Sequence, residues 1–323
     1  MPAFFQEVFA AAGVDEDANP RPGMIVPVGG SNVVRLAGGT GLEAPRSLRV
    51  EEVPWNQGAI LTALSLPFYL AGSLKHGALL GARYFQISST TLIGPVPAQV
   101  KAVGASSSKP APALDVAVLR RRKVKLSIRP VQVRGPQGGL VFHSKKPFDT
   151  KAMVEQMNFI WTPQANVAFE LVSADPVQIL DEAEIAKILD LKTTKEAPLP
   201  SMVVLQRFKD LFNRFKDKSA HLTMFLVESA GDLNDPRSLY VHAKQVMGIT
   251  DPALGISLIS DDRASHRELL AHEAGHFIGS FAGRDGKLMI FGHRGGTRDL
   301  MQDGGSEIAK IPFHDVIDFF NRP

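Results

Sequence analysis

Residues 265 to 305 read SHRELLAHEAGHFIGSFAGRDGKLMIFGHRGGTRDLMQDGG, and their centre is His272-Glu273-Ala274-Gly275-His276. On a helix, positions i and i+4 lie one above the other, so His272 and His276 face the same way and can share one metal ion. Glu273 stands beside the first histidine, where a carboxylate can take a proton from water acidified by a metal. The flanks agree with a helix. Ser265 and Glu268 have the S-x-x-E spacing of a capping box, which predicts a helix start just before the motif. Leu269, Leu270, Phe277 and Ile278 give that helix an apolar surface to bury, and Gly279 is a natural terminator.

Catalytic zinc takes three protein ligands and leaves one position open for water. The third must therefore come from outside the helix. His293, in the turn Gly292-His293-Arg294-Gly295-Gly296, is the choice, with Glu307, Asp285 and Asp299 as alternatives. Together these residues resemble the metzincin metalloproteases, whose pattern is H-E-x-x-H-x-x-G-x-x-H followed by a turn with a Met beneath the metal. His272, Glu273, His276, Gly279, His293 and Met301 match it one by one. The resemblance implies a Zn2+ cofactor held by His272, His276 and His293, with Glu273 as the catalytic base. It departs at one point: the family's third His would fall at Ala282, so about eleven residues stand inserted before His293. The insert carries Asp285-Gly286 ahead of Leu288-Met289-Ile290-Phe291, which predicts a small hairpin returning His293 towards the helix.

The chain's 323 residues suffice for two domains. Cysteine is absent, which excludes disulfides and thiolate zinc sites. A net charge of +3 gives no sign of a nucleic-acid partner, and the basic run Arg120-Arg121-Arg122-Lys123 reads as a solvated linker or strand edge. The apolar run from Ala59 to Leu74 is short for a membrane span and contains Pro67. The first residues lack the basic start and apolar run of a signal peptide. The default is therefore cytoplasmic synthesis, with export by a route needing no cleavable signal left open.

The coarse organisation is α+β: a segment 1–23, a mainly β domain over 24–119, and a metalloprotease domain over 120–323. In the first domain, strands are predicted over Ile25–Val28, Val33–Leu36, Tyr84–Ile93, Gln99–Val103 and Leu114–Leu119, with Gly29, Gly30 and Gly38 in turns. Its opening and closing parts resemble a bacterial immunoglobulin-like domain, while Gly58–Ala82 is Leu/Ala-rich and reads as helical. In the second, Val124, Leu126 and Ile128 have strand period. Met153, Val154, Met157, Ile160 and Trp161 have helix period, stopped by Pro163. Strands are expected over Val167–Val172, His221–Val227 and Gly255–Ser260, and helices over Asp181–Leu191, from Ser201, and over Phe313–Phe320. That order of a strand, a helix and further strands before the metal helix is the one expected of a metzincin N-terminal subdomain, and the final helix matches the C-terminal one.

The function expected is that of a zinc endopeptidase acting on a protein or peptide substrate, with the strand Gly255–Ser260 pairing with the extended substrate. The alternatives are a zinc-stabilised binding protein working through its β domain, and a secreted protease toxin. Oligomeric state is not legible.

Overall fold

The computed structural model describes residues 4–6, 14–15, 21–54, 83–104, 112–134, 140–143, 148–179, 210, 212–227, 248–260, 268–282, 288–289 and 311–321. The fold is α+β, sheet-rich with few helices. The longer helices are α1 (Thr150–Ala165), α2 (Leu269–Gly279) and α3 (Phe313–Asn321). Two compact units arise. One holds 1–123, 158–168 and 293–323, and the other holds 124–157 and 169–292. The first division falls close to the boundary expected at 119/120, but the second half of α1 and the whole of α3 join the N-terminal unit.

In that unit the described strands are β1 (Phe4–Gln6), β2 (Val14–Asp15), β3 (Gly23–Pro27), β4 (Ser31–Ala37), β5 (Gly41–Glu43), β6 (Leu48–Val53), β7 (Arg83–Ser89), β8 (Val96–Val103) and β9 (Ala113–Leu119). They form two sheets, ordered β1-β4-β7-β6 and β2-β3-β9-β8-β5. Only the β3–β9 pairing is parallel. Strand period sends alternate residues to one face, so Met24 and Val26 meet Val34, Leu36, Phe85, Ile87, Val100, Leu114, Val116 and Val118 in one core. Each such side chain contributes about 1.5–3 kcal/mol when fully buried. The expected strand Tyr84–Ile93 stops at Ser89, where hydroxyl–backbone bonds turn Thr90–Ile93 into a loop. Gly29 and Gly38 have φ of 69° and 75°, a region open to glycine at little cost. The helical reading of Gly58–Ala82 falls outside the described residues.

Pro163 does not stop α1, which runs on to Ala165. Proline forfeits its own N–H bond, but near a C-terminus the following residues can still donate: Asn166 N bonds Thr162 O at 3.0 Å. Asn166 then ends the helix with φ 51°, a left-handed turn that Asn tolerates. It also ties the helix end to the exit of the sandwich. Its Nδ2 donates to Leu119 O at 2.7 Å, its Oδ1 accepts from Arg121 Nε at 3.1 Å, and its carbonyl accepts from Arg122 N. On the same unit α3 lies against β3. A Cβ at Gly23 would fall within the Phe313 ring, so only glycine gives Phe313 its seat.

The second unit is organised by one sheet. Its strands are β10 (Arg122–Arg134), β11 (Leu140–His143), β12 (Val167–Ser173), β13 (Val177–Ile179), β14 (Leu222–Val227), β15 (Gly248–Asp251) and β16 (Ile256–Ser260). The order is β11-β10-β14-β16-β15, with β12 and β13 also pairing with β10. β10, β14 and β16 run parallel, and β15 is antiparallel to β16. Strands in the middle of such a sheet are covered on both faces. Accordingly every residue of β14 and of β16 is buried. This corrects the expectation that Gly255–Ser260 receives a substrate. β16 is flanked by β14 and β15, Gly255 is a turn residue with φ 62°, and on that side of the sheet the edge is β15. The hairpin expected in the insert is present at its ends, where β17 (Phe281–Ala282) pairs antiparallel with β18 (Leu288–Met289) around residues 283–287. Of the helix expected from Ser201, residues 210 and 212–214 are described and helical. The one expected over Asp181–Leu191 lies outside the described residues.

Candidate metal centre

Helix α2 begins at Leu269, one residue after its N-cap, Glu268. Glu268 has φ −94° and ψ −18° and makes no side-chain capping bond as the N-cap, and the box expected between it and Ser265 is not among the described contacts. Ser265 lies outside the described residues. The helix ends at Gly279, and Ser280 turns extended with ψ 144°. Gly279 is not among the positive-φ residues, so it closes the helix without the left-handed turn that glycine usually supplies there. What holds α2 is burial. Leu269, Leu270, Ala271, Ala274 and Ile278 are all buried, which drives two turns of the helix into the unit's core.

That burial takes the motif in with it. His272 and Glu273 are buried and His276 is half-buried. The two imidazoles stand edge to face, with ring centroids 5.0 Å apart and planes at 83°. One ligand atom each from His272, Glu273 and His276 lies within 4.8 Å of the others, the only such group among the described residues. Buried polar groups are costly unless they serve a partner or a ligand. Two imidazole nitrogens converging beside a carboxylate suit a borderline cation such as zinc.

Glu273 packs against the edge strand. Thr250 Oγ1 donates to Glu273 Oε2 at 2.5 Å and lies 3.1 Å from the Glu273 carbonyl oxygen. The Ser257 hydroxyl lies 2.7 Å from Thr250 Oγ1, a bond in which either oxygen can donate. Thr250 and Ser257 face each other across the β15–β16 ladder. Gly248 shares the Thr250 face of β15 by strand period. A Cβ there would lie 2.5 Å from Glu273 Oε1 and 2.7 Å from Cδ, so glycine leaves the space the carboxyl fills. Burial raises the Glu273 pKa from 4.5 to about 7, against the smaller opposing effect of the Thr250 bond. A carboxylate with such a pKa is a stronger base than one in water.

Of the residues expected at the site, His272, Glu273 and His276 come together. His293, Met301, Glu307, Asp285 and Asp299 lie outside the described residues. The sequence reading missed Gly248, Thr250 and Ser257. Their contribution depends on strand pairing, which leaves no spacing signal in Gly248-Ile249-Thr250-Asp251. Neither protein-family models, nor curated proteins, nor solved structures gave a match to this chain, so the centre stands on its own residues.

Proposed function

We propose that the chain is a zinc-dependent endopeptidase of metzincin type. The observation that carries this reading is the convergence of His272 and His276 with the buried carboxylate of Glu273. A scaffold site holding metal for stability alone needs no base, whereas a buried carboxylate beside the two imidazoles is placed to act as one. His272 and His276 would hold the ion as neutral imidazoles, joined by a third ligand for which His293 is the candidate. A zinc ion there would supply a Lewis acid and make water easier to deprotonate. Glu273 accepts the proton of the attacking water and passes it to the leaving amine. Thr250 and Gly248 keep its carboxyl against β15 during both transfers.

The order of elements supports the same reading, because β10, α1 and the later strands precede α2 as in a metzincin N-terminal subdomain. For the other unit we propose an immunoglobulin-like sandwich. The order β1-β4-β7-β6 corresponds to strands A-B-E-D, and β5-β8-β9 to C-F-G.

The test is hydrolysis of an unfolded protein by the purified chain, with metal content measured in parallel. About one zinc per chain, activity lost to a chelator, and a Glu273→Gln variant that keeps zinc but not hydrolysis are expected. Zinc binding with no hydrolysis under any condition would turn the reading to the zinc-stabilised binding protein.

A further inference from the structure

At one end of the sandwich the loop Thr90–Pro95 carries the two most exposed large apolar side chains among the described residues, Leu92 at 81% and Ile93 at 65%. Bulky aliphatic groups in water are ordinary when scattered, but a pair at the tip of one loop is not. The loop is also fastened. Thr91 N donates to Ser89 Oγ at 3.2 Å, and Ile93 N to Thr91 Oγ1 at 3.1 Å. Thr90 donates through its hydroxyl to Arg46 O at 2.8 Å and through its N–H to Ser47 O at 3.0 Å. Behind the tip a Cβ on Gly94 would meet Val118 O at 2.8 Å and Arg120 N at 3.3 Å, so the loop lies directly on the end of β9. A tip held this firmly presents Leu92 and Ile93 without the entropy cost of ordering them on contact.

The same bonds place an arginine on each side. Arg46 flanks the loop through its carbonyl and Arg120 through its backbone N, and both are exposed. The loops gathered here, 28–30, 44–47, 90–95 and 120–121, contain arginines but no Asp or Glu. Arg121 is bonded to Asn166 Oδ1, which leaves Arg46 and Arg120 as the collar. We propose that this end of the sandwich docks on an anionic lipid surface, with Leu92 and Ile93 entering the interface and Arg46 and Arg120 meeting the headgroups. A projecting aliphatic tip fits a fluid interface that closes around it, and a collar of one sign fits the negative potential of such a leaflet.

Vesicle co-sedimentation of the full chain tests this, using phosphatidylcholine with and without a quarter of phosphatidylglycerol. Binding to the anionic vesicles alone is expected, weakening as salt rises. The Leu92→Ser/Ile93→Ser variant should lower the partition at least tenfold with unchanged far-ultraviolet circular dichroism. Arg46→Ala and Arg120→Ala should each lower it about fivefold. A Leu92→Trp variant should show a blue-shifted emission on the anionic vesicles. No pelleting with either lipid would overturn the proposal, as an acidic protein partner would then be the better occupant. So would binding that the Leu92→Ser/Ile93→Ser variant leaves intact, or a wild-type dimer that the variant abolishes. None of these results depends on proteolysis.

Discussion

Replacing Glu273 by Gln separates the burial of the carboxyl from its chemistry. Gln keeps the shape of Glu and still offers Thr250 an acceptor, but it cannot ionise. In the metal-free protein the folded-state pKa is about 7 against 4.5 for an ordinary glutamate. A raised folded pKa means that the native state binds the proton more tightly than the unfolded chain. Its contribution is therefore fully present below 4.5 and is lost as pH rises through 7. The interval, at about 1.4 kcal/mol per unit, corresponds to about 3 kcal/mol. Wild type and Glu273→Gln should be of similar stability near pH 4.5, and the variant should exceed wild type by about that amount at pH 8. Urea unfolding in a chelator at several pH values gives the difference directly. Added zinc should shrink the gap, because the cation offsets the buried negative charge. A difference that stays flat from pH 4.5 to pH 8 would refute the claim that burial holds this carboxyl uncharged.

His272→Ala and His276→Ala should each lower zinc affinity by about a hundredfold or more in a competition titration against a chelating dye, since each removes a direct ligand. Gly248→Ala should displace the Glu273 carboxyl and cost about 1–3 kcal/mol by overpacking, read as a lower urea midpoint together with loss of hydrolysis. Thr250→Val removes the bond that holds the Glu273 pKa down, so the acidic limb of the pH–rate profile should move to higher pH, and Thr250→Ser should restore it. A fragment beginning at Leu114 should fail to fold by circular dichroism. β9 would lose β3 as its parallel neighbour, and Phe313 would lose its seat on Gly23.

The parts of this centre that could be read from the sequence are those fixed by local spacing. His272, Glu273 and His276 lie within two turns, and helical period alone puts the histidines together. Leu269, Leu270 and Ile278 likewise announce the buried face. The strand alternation of Val124, Leu126 and Ile128 was legible for the same reason, and so was a hairpin in the insert, whose described ends are Phe281–Ala282 and Leu288–Met289. Pairing between distant segments was not. β15 is four residues without apolar alternation, and its place at the sheet edge follows from its register with β16. β6, reading LRVEEV, carries three charged residues in six, and its strand form comes from antiparallel pairing with β7. Pro163 misled because a proline near a helix end forfeits a bond of its own without preventing Asn166 from donating to Thr162.

The seating of Phe313 on Gly23 has a consequence for how the chain is made. The sandwich strands leave the ribosome well before the helix that covers the third of them. Until then Gly23 presents a bare notch, and contacts that span nearly the whole chain close slowly. A message that ends early would yield a sandwich with its notch open.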